Sequence, residues 1–306
     1  MRERNRYASS LYAALLAIGG AGLAGCQPAV LDPEGPVGAG EKIILFNSLA
    51  IMLAIVVPTI LATLAFAWWY RASNRRARYL PDWEYSGRIE LVTWSIPVLV
   101  ILFLGSIAWI SAHDLDPAKP LASSSKPVEI QAVSLDWKWL FIYPDQGIAA
   151  VNQLTVPVGV PLHFSLTSAS VMNTFFVPQL GSMIYTMNGM SDQLNLQADK
   201  PGSYFAQSAH FSGDGFSDMH FALTAVSPEQ FAAWIETARG SGATLDAAGY
   251  TALAEQSANV PPSTYRAVEP HLYEMIVTQK LPPGPGPTQG RPTREVSPRT
   301  AAQNAR

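Results

Sequence analysis

The stretch "SAHFSGDGFSDMHF" at residues 208–221 joins two segments that read as β-strands, "GSYFAQ" at 202–207 and "DMHFALTAV" at 218–226. Gly213 suits a tight turn between them. A loop of this kind on a β-sandwich is a typical place for a copper ion, whose ligands are thiolates, imidazoles and a methionine. Serine and phenylalanine stand at several of the expected places here, so the loop has the form of a ligand loop without most of the ligands.

The neighbouring segments predict the rest of the sandwich. Short runs rich in β-branched and aromatic residues are separated by proline and glycine, as in "VEIQAVSLDWKWLFIYP" at 128–144 and "NQLTVPVGVPLHFSLTSAS" at 152–170. This pattern predicts a β-sandwich over residues 127–227. An aromatic-rich helical extension is expected at 228–280, and the Pro- and Gly-rich tail at 281–306 is expected to be disordered.

Two uncharged runs precede the sandwich, at residues 43–70 and 91–112, and each is long enough to cross a hydrocarbon core. The connection at 71–90 contains five arginines. Loops rich in arginine stay in the cytoplasm, so both outer ends of this transmembrane hairpin are expected in the periplasm, together with the segment at 26–42. The fold class is therefore membrane-anchored all-β, with a periplasmic sandwich after a two-helix hairpin.

The N-terminus predicts processing and lipid attachment. A basic start and a short apolar run at residues 1–25 are typical of a signal peptide. Cys26 follows in "LAGC", which resembles a bacterial lipoprotein box. Cys26 is the single cysteine of the sequence. Acylation of Cys26, for instance by palmitate, would add a lipid anchor to a multi-pass protein of the bacterial inner membrane. With one thiol, neither an internal disulfide nor a site with two thiolates can form. The net charge of -3 gives no reason to expect nucleic acid as a partner.

Several segments together resemble subunit II of the haem-copper respiratory oxidases. "IELVTWSIP" at 89–97 is similar to the start of that family's second helix, and "SLDWKWLFIYP" at 134–144 to its aromatic segment. "SVMNTFFVPQLGSMIYTMNGM" at 170–190 and "QSAHFSGDGFSDMHF" at 207–221 resemble the two stretches that hold a dinuclear copper centre, copper A, in cytochrome c oxidases. The resemblance implies a cupredoxin-like sandwich.

The residues at the copper positions depart from the ligand pattern. The ligand positions fall on Asn173, Ser208, His210, Ser212, Phe216 and Met219, of which only the methionine is a family ligand. A dinuclear centre needs bridging thiolates, which a serine hydroxyl cannot replace. The departures are typical of the quinol-oxidising branch, the bo-type ubiquinol oxidases.

That branch implies the remaining expectations. The chain caps subunit I of a proton-pumping oxidase that takes electrons from ubiquinol rather than cytochrome c and reduces O2 to water. It contributes no catalytic residue and no cofactor, because the haems and copper B belong to subunit I. Trp137 and Trp139 are expected at a subunit interface, and Glu90 at the mouth of a proton channel. The alternative for Glu90 is a solvated carboxylate at a helix N-terminus, with no role in proton uptake.

Two other functions would also use a cupredoxin-like domain of this kind. The missing cysteines argue against a copper-containing cytochrome c oxidase subunit. A non-enzymatic membrane lipoprotein with a cupredoxin-like domain, acting in oxidase assembly or copper handling, is the main alternative. A copper carrier needs clusters of methionine and histidine, and Met183, Met187 and Met190 are the nearest approach to one. Their simpler interpretation is apolar packing against subunit I or the sandwich edge.

Overall fold

The computed structural model describes residues 29–78, 80–284 and 286. The signal peptide, Cys26 and most of the tail lie outside these residues. Two long helices come first, α1 at Pro36–Trp69 and α2 at Gly87–Asp114. Both are long and apolar enough to cross a membrane, and their most apolar windows are 0% buried within this chain. The two apolar helices predicted from the sequence are confirmed, and each extends beyond its uncharged run.

In the part of the chain that the structure describes, thirteen short strands follow, and ten of them lie within residues 127–227. These are β1 Val128–Leu135, β2 Lys138–Tyr143, β3 Ile148–Val151, β4 Gln153–Pro157, β5 Leu162–Ser168, β6 Asn173–Phe176, β7 Ile184–Thr186, β8 Asp192–Leu196, β9 Gly202–Ser208 and β10 His220–Val226. The C-terminal part contains α3 Pro228–Gly240, β11 Thr244–Leu245, α4 Ala247–Ala254, β12 Ser263–Tyr265, β13 Ala267–Val268 and α5 Leu272–Val277.

The strands form two facing sheets, which confirms the predicted sandwich. One sheet has the order β12-β3-β2-β1-β5-β8 and the other β4-β10-β9-β6-β7, while β11 and β13 pair separately. Most neighbours are antiparallel, but β1 pairs with β5 in parallel and β4 with β10 in parallel. The closed core between the sheets is strongly aromatic, with Trp139, Phe141 and Phe175 in mutual ring contact.

Strand β2 is buried on both faces, which explains its nearly continuous apolar sequence. Side chains alternate between the two faces of a strand. Trp139, Phe141 and Tyr143 enter the core between the sheets. Leu140 and Ile142 enter a second core, formed against the C-terminal extension.

The C-terminal extension is more than helical. Its helices are present as predicted, and α3 begins with a capping box in which Ser227 and Gln230 bond each other's backbone. Three short strands, which the sequence patterns did not reveal, accompany them. One of these, β12, pairs with β3 and becomes the edge of the six-stranded sheet. The extension is thus built into the sandwich.

The first helix is joined to the sandwich through its backbone. At about 1.5 Å per residue, the 34 residues of α1 exceed the thickness of a hydrocarbon core. Its first turn reaches the sandwich, where the Gly38 N–H donates to the Leu180 carbonyl at 3.0 Å and the Glu34 N–H to the Gln179 carbonyl at 2.8 Å. Helix starts leave N–H groups without partners in the helix, and here the sandwich supplies one.

Candidate functional site

The two stretches that resemble copper-ligand segments come together at one end of the five-stranded sheet. Asn173 begins β6 and Ser208 ends β9, and these strands are neighbours. The Ser208 hydroxyl donates to Asn173 Oδ1 at 3.1 Å, and the Thr174 N–H donates to Ser208 Oγ at 3.4 Å. Asn173 and Ser208 are both buried. A hydrogen-bonded polar pair therefore occupies the place where the resemblance puts a histidine and a cysteine.

The loop between β9 and β10 supplies the other predicted positions. The buried Ser212 accepts a hydrogen bond at its carbonyl from Trp137 Nε1 at 3.1 Å, and among the described residues its hydroxyl has no partner. Phe216 packs partly buried against the core, and Met219 lies within it. His210 is half-buried, with its ring 5.9 Å from that of Tyr185.

This donor set does not fit a dinuclear copper centre. Asn173, Ser208 and Ser212 offer an amide and two hydroxyls, and Phe216 offers no donor atom, whereas copper of this kind needs thiolates and imidazoles. In the part of the chain that the structure describes, no group of three or more His, Cys, Asp or Glu side chains is placed to hold a metal ion. What the arrangement can do is close one end of the sandwich by hydrogen bonding and packing.

Among the described residues, neither His220 nor His163 completes another ligand set. Met219 lies in the core, but its neighbour His220 is exposed and stacks on Phe205 at 5.8 Å between ring centroids. His163 Nδ1 is 3.0 Å from Asn195 Oδ1 on the six-stranded sheet. Of the methionine run, Met183 and Met190 are exposed and Met187 is partly buried.

The positions of Trp137 and Trp139 correct the expectation that they contact a partner subunit. Within this chain alone their side chains are 1% and 0% exposed, so neither presents surface to another protein. Trp139 stacks on Phe141 at 6.2 Å and meets the edge of Phe175 at 5.6 Å. Their alternating aromatic sequence is explained by the turn between β1 and β2, which places both rings in the core of the sandwich.

Trp137 depends on a glycine that sequence reasoning did not single out. Its backbone has φ 62, the left-handed region. This turns the indole against Gly215, where an added Cβ would lie 2.5 Å from two ring atoms. Glycine is therefore required at 215 for space. The "GDG" run was the available signal, but it indicated a turn rather than an indole neighbour.

The same turn holds the C-terminal extension through two buried charged residues that sequence reasoning also missed. Lys138 Nζ donates to the Glu255 carbonyl and to Ser257 Oγ, both at 2.6 Å. Burial lowers the pKa of the Lys138 ammonium from 10.5 to about 8, although Asp136 and Glu255 oppose this shift. Asp136 accepts from the Gly286 N–H at 2.9 Å and from the Ser170 hydroxyl.

Glu90 is remote from this end of the molecule. It lies in the first turn of α2, is exposed, and donates its backbone N–H to the Ser86 carbonyl at 3.0 Å. Cys26 lies outside the described residues.

Comparisons with known proteins agree with this architecture. Residues 146–226 match the family described as "Cytochrome C oxidase subunit II, periplasmic domain", and residues 239–284 match the "COX Aromatic Rich Motif". Ubiquinol oxidase subunit 2 of Acetobacter aceti is 52% identical over 84% of this chain and 84% of that protein. The chain belongs to the ubiquinol oxidase subunit 2 family.

Further members of the ubiquinol oxidase subunit 2 family support the assignment. The cytochrome bo(3) ubiquinol oxidase subunit 2 of Pseudomonas aeruginosa is 49% identical over 84% of this chain and 78% of its own. That of Pseudomonas putida is 45% identical over 89% and 86%. The family places the chain in an oxidoreductase complex of several subunits, and the alternative of a separate copper-handling lipoprotein is not favoured.

Proposed function

We propose that this chain is the non-catalytic second subunit of a quinol-oxidising, proton-pumping terminal oxidase, and that its sandwich caps subunit I on the periplasmic side. Ubiquinol reaches the complex through the lipid, so electrons pass to the haems of subunit I without a metal in the sandwich. Cytochrome c has no role as a donor in this arrangement. The observation that carries the proposal is the Asn173–Ser208 hydrogen bond at a buried position where a copper subunit needs ligands.

The proposed orientation follows from charge. The connection between the two helices is rich in arginine, with Arg71, Arg75, Arg76, Arg78 and Arg88 in it or beside it. This positive charge favours a cytoplasmic location for the connection. The sandwich then lies in the periplasm. A lipid on Cys26 would insert into the outer leaflet of the same membrane, beside the start of α1.

One purification tests the main proposal. The complex is isolated from membranes through a tag on this chain, and its haem spectrum, copper content and quinol-dependent oxygen uptake are measured. We expect a haem-containing subunit I, quinol oxidase activity, and no copper beyond that of subunit I. Isolation of this chain without haem protein, or with copper bound to the sandwich itself, would overturn the proposal. Intact mass of the subunit tests the signal peptide and the acylated Cys26 in the same sample.

A further inference from the structure

The connection between the two helices forms a cavity where they would leave the membrane. Its volume is about 800 Å³, and it opens between the end of α1 and the start of α2. Its lining includes the apolar and aromatic side chains of Phe66, Tyr70, Trp83 and Ile89. It also includes two arginines, Arg71 and Arg78. Apolar and cationic groups thus line one cavity at the ends of two candidate spanning helices.

Arg71 is held in a fixed orientation within this cavity. Its guanidinium lies 4.8 Å from the Trp68 ring centroid, donates from Nη1 to the Trp68 carbonyl at 2.7 Å, and donates from Nε to Ser73 Oγ at 3.1 Å. A guanidinium has five N–H donors, so others remain for a ligand. The hydrogen bond from Nη1 also covers a carbonyl at the negative end of α1, which would otherwise repel an anion.

The charges at the cavity favour an anion. Among the described residues, neither Arg71 nor Arg78 forms an ion pair with an acid, although Asp82 and Glu84 lie in the same connection. Leu80 and Trp83 are more than half exposed beside them, at 52% and 58%. Exposed tryptophans and arginines at the end of a spanning helix suit the headgroup region of a bilayer.

We propose that this cavity binds one anionic phospholipid of the adjacent leaflet. The phosphate is held by Arg71 and Arg78, and the first part of an acyl chain lies against Phe66 and Ile89. Guanidinium groups recognise phosphate oxygens through paired N–H donors. The inference requires that α1 and α2 span the bilayer, and it does not depend on the role proposed for the sandwich.

The test uses the assembled complex in nanodiscs of phosphatidylcholine containing a minor fraction of phosphatidylglycerol with a photoreactive acyl chain. We expect crosslinks in the peptides around Phe66 and Ile89, and retention of phosphatidylglycerol over phosphatidylcholine by native mass spectrometry. In Arg71→Gln/Arg78→Gln, retention should fall by at least about tenfold, since a direct hydrogen bond to a charged group contributes roughly a factor of ten or more in affinity.

The matched control is Arg75→Gln/Arg76→Gln, which removes the same charge from the same connection but from outside the cavity walls. It should leave retention near that of the unaltered complex. An equal loss in both double variants would show general attraction to a basic loop and overturn the proposal. Absence of crosslinks in the unaltered complex would also overturn it, because subunit I or another lipid would then fill the cavity. That second readout does not depend on the variants assembling.

Discussion

At the scale of single residues, the positions that resemble copper ligands are held by hydrogen bonding and packing. Ser208 and Asn173 keep their buried places and satisfy each other, because an unpaired polar atom there would cost free energy. The exception is the Ser212 hydroxyl, which is buried without a partner in the described part of the chain. Its carbonyl nonetheless fixes the Trp137 indole.

Ser208→Ala should therefore lower stability without lowering turnover. The substitution leaves Asn173 Oδ1 buried without its donor, at a cost of about 1–3 kcal/mol. We expect a lower thermal unfolding temperature of the purified complex and an unchanged quinol oxidase rate per assembled haem. Ser203→Ala, at an exposed position of the same strand, is the control and should change neither quantity. A loss of turnover at normal haem content would indicate that Ser208 has a part in electron transfer.

Glu90→Ala tests the proton-uptake role proposed for that residue. If the carboxylate collects protons for subunit I, the complex should assemble with a normal haem spectrum and turn over several-fold more slowly. Glu90→Asp should keep much of the rate, because the proton-accepting group remains. Glu84→Ala removes an exposed acid from the same connection and should have little effect. A normal rate for Glu90→Ala across neutral and alkaline pH would leave Glu90 as a helix-end carboxylate.

At the scale of elements, the turn between β1 and β2 joins the sandwich to the extension. Lys138 holds the segment after α4, and Asn152 Nδ2 donates to the Val260 carbonyl at 2.8 Å just before β12. The lowered pKa of Lys138 makes this junction sensitive to pH. Between about 8 and 10.5 the folded protein has released the proton that the unfolded chain still binds. Unfolding then takes up a proton, so this group makes stability rise with pH in that window.

Lys138→Met should remove that rise. For each protein, the urea concentration at the unfolding midpoint is followed by tryptophan fluorescence and expressed as a difference from its value at neutral pH. Above pH 8 we expect this difference to be more positive for the unaltered complex than for Lys138→Met. Lys126→Met is the control, because the Lys126 side chain is exposed and pairs with Asp145 at 2.7 Å, which raises the pKa of Lys126 instead. Identical pH slopes for Lys138→Met and the unaltered complex would contradict the assignment.

The elements differ in how far the sequence could predict them. Length and composition identify α1 and α2, since both are uncharged over a membrane thickness. Short runs rich in β-branched and aromatic residues, separated by proline and glycine, identify the strands of the sandwich. The two-residue and three-residue strands of the extension could not be found, because they pair through backbone groups and show no period. The buried Lys138 could not be foreseen either. Its partners are a carbonyl and a hydroxyl far along the chain, and neither leaves a pattern near residue 138.

The copper positions were readable for a different reason. The ligand chemistry is so restrictive that serine and phenylalanine at those places argue against a dinuclear copper centre from the sequence alone. The roles of Trp137 and Trp139 were not readable, because an aromatic pattern predicts burial but not whether a partner subunit or the same chain provides it. Trp137 packs against Gly215 and Trp139 packs against Phe175, and these contacts show that the same chain buries both side chains.

At the scale of the whole molecule, the membrane helices and the sandwich meet at backbone contacts. Gly35 lies so close to the sandwich that an added Cβ would be 2.2 Å from the Gln197 carbonyl oxygen. Glu34 adds an ion pair to Lys200 at 2.9 Å and accepts the Asp199 N–H at its carbonyl at 2.8 Å. Such contacts fix the position of the sandwich relative to the start of α1.

Gly35→Ala should separate the two parts. The clash is with backbone, which cannot move aside as a side chain can. The first turn of α1 must therefore move away from its contacts with the sandwich. We expect faster hydrogen exchange at residues 177–182 and less subunit I recovered with this chain. Gly105→Ala, in the open middle of α2 with nothing within 4 Å of an added Cβ, is the control. An unchanged hydrogen-exchange rate at residues 177–182 in Gly35→Ala would show that this contact between α1 and the sandwich tolerates a methyl group.

The pairing of β3 with β12 also has a consequence for the order of events during synthesis. Strand β3 leaves the ribosome long before β12, yet β12 is its outer neighbour in the six-stranded sheet. Until then β3 is an open edge, which can pair with other chains. Strand β4 waits in the same way for β10, its partner in the other sheet. Nascent chains that stop before residue 263 should therefore aggregate, because a strand that is translated late covers the edge of one that is translated early.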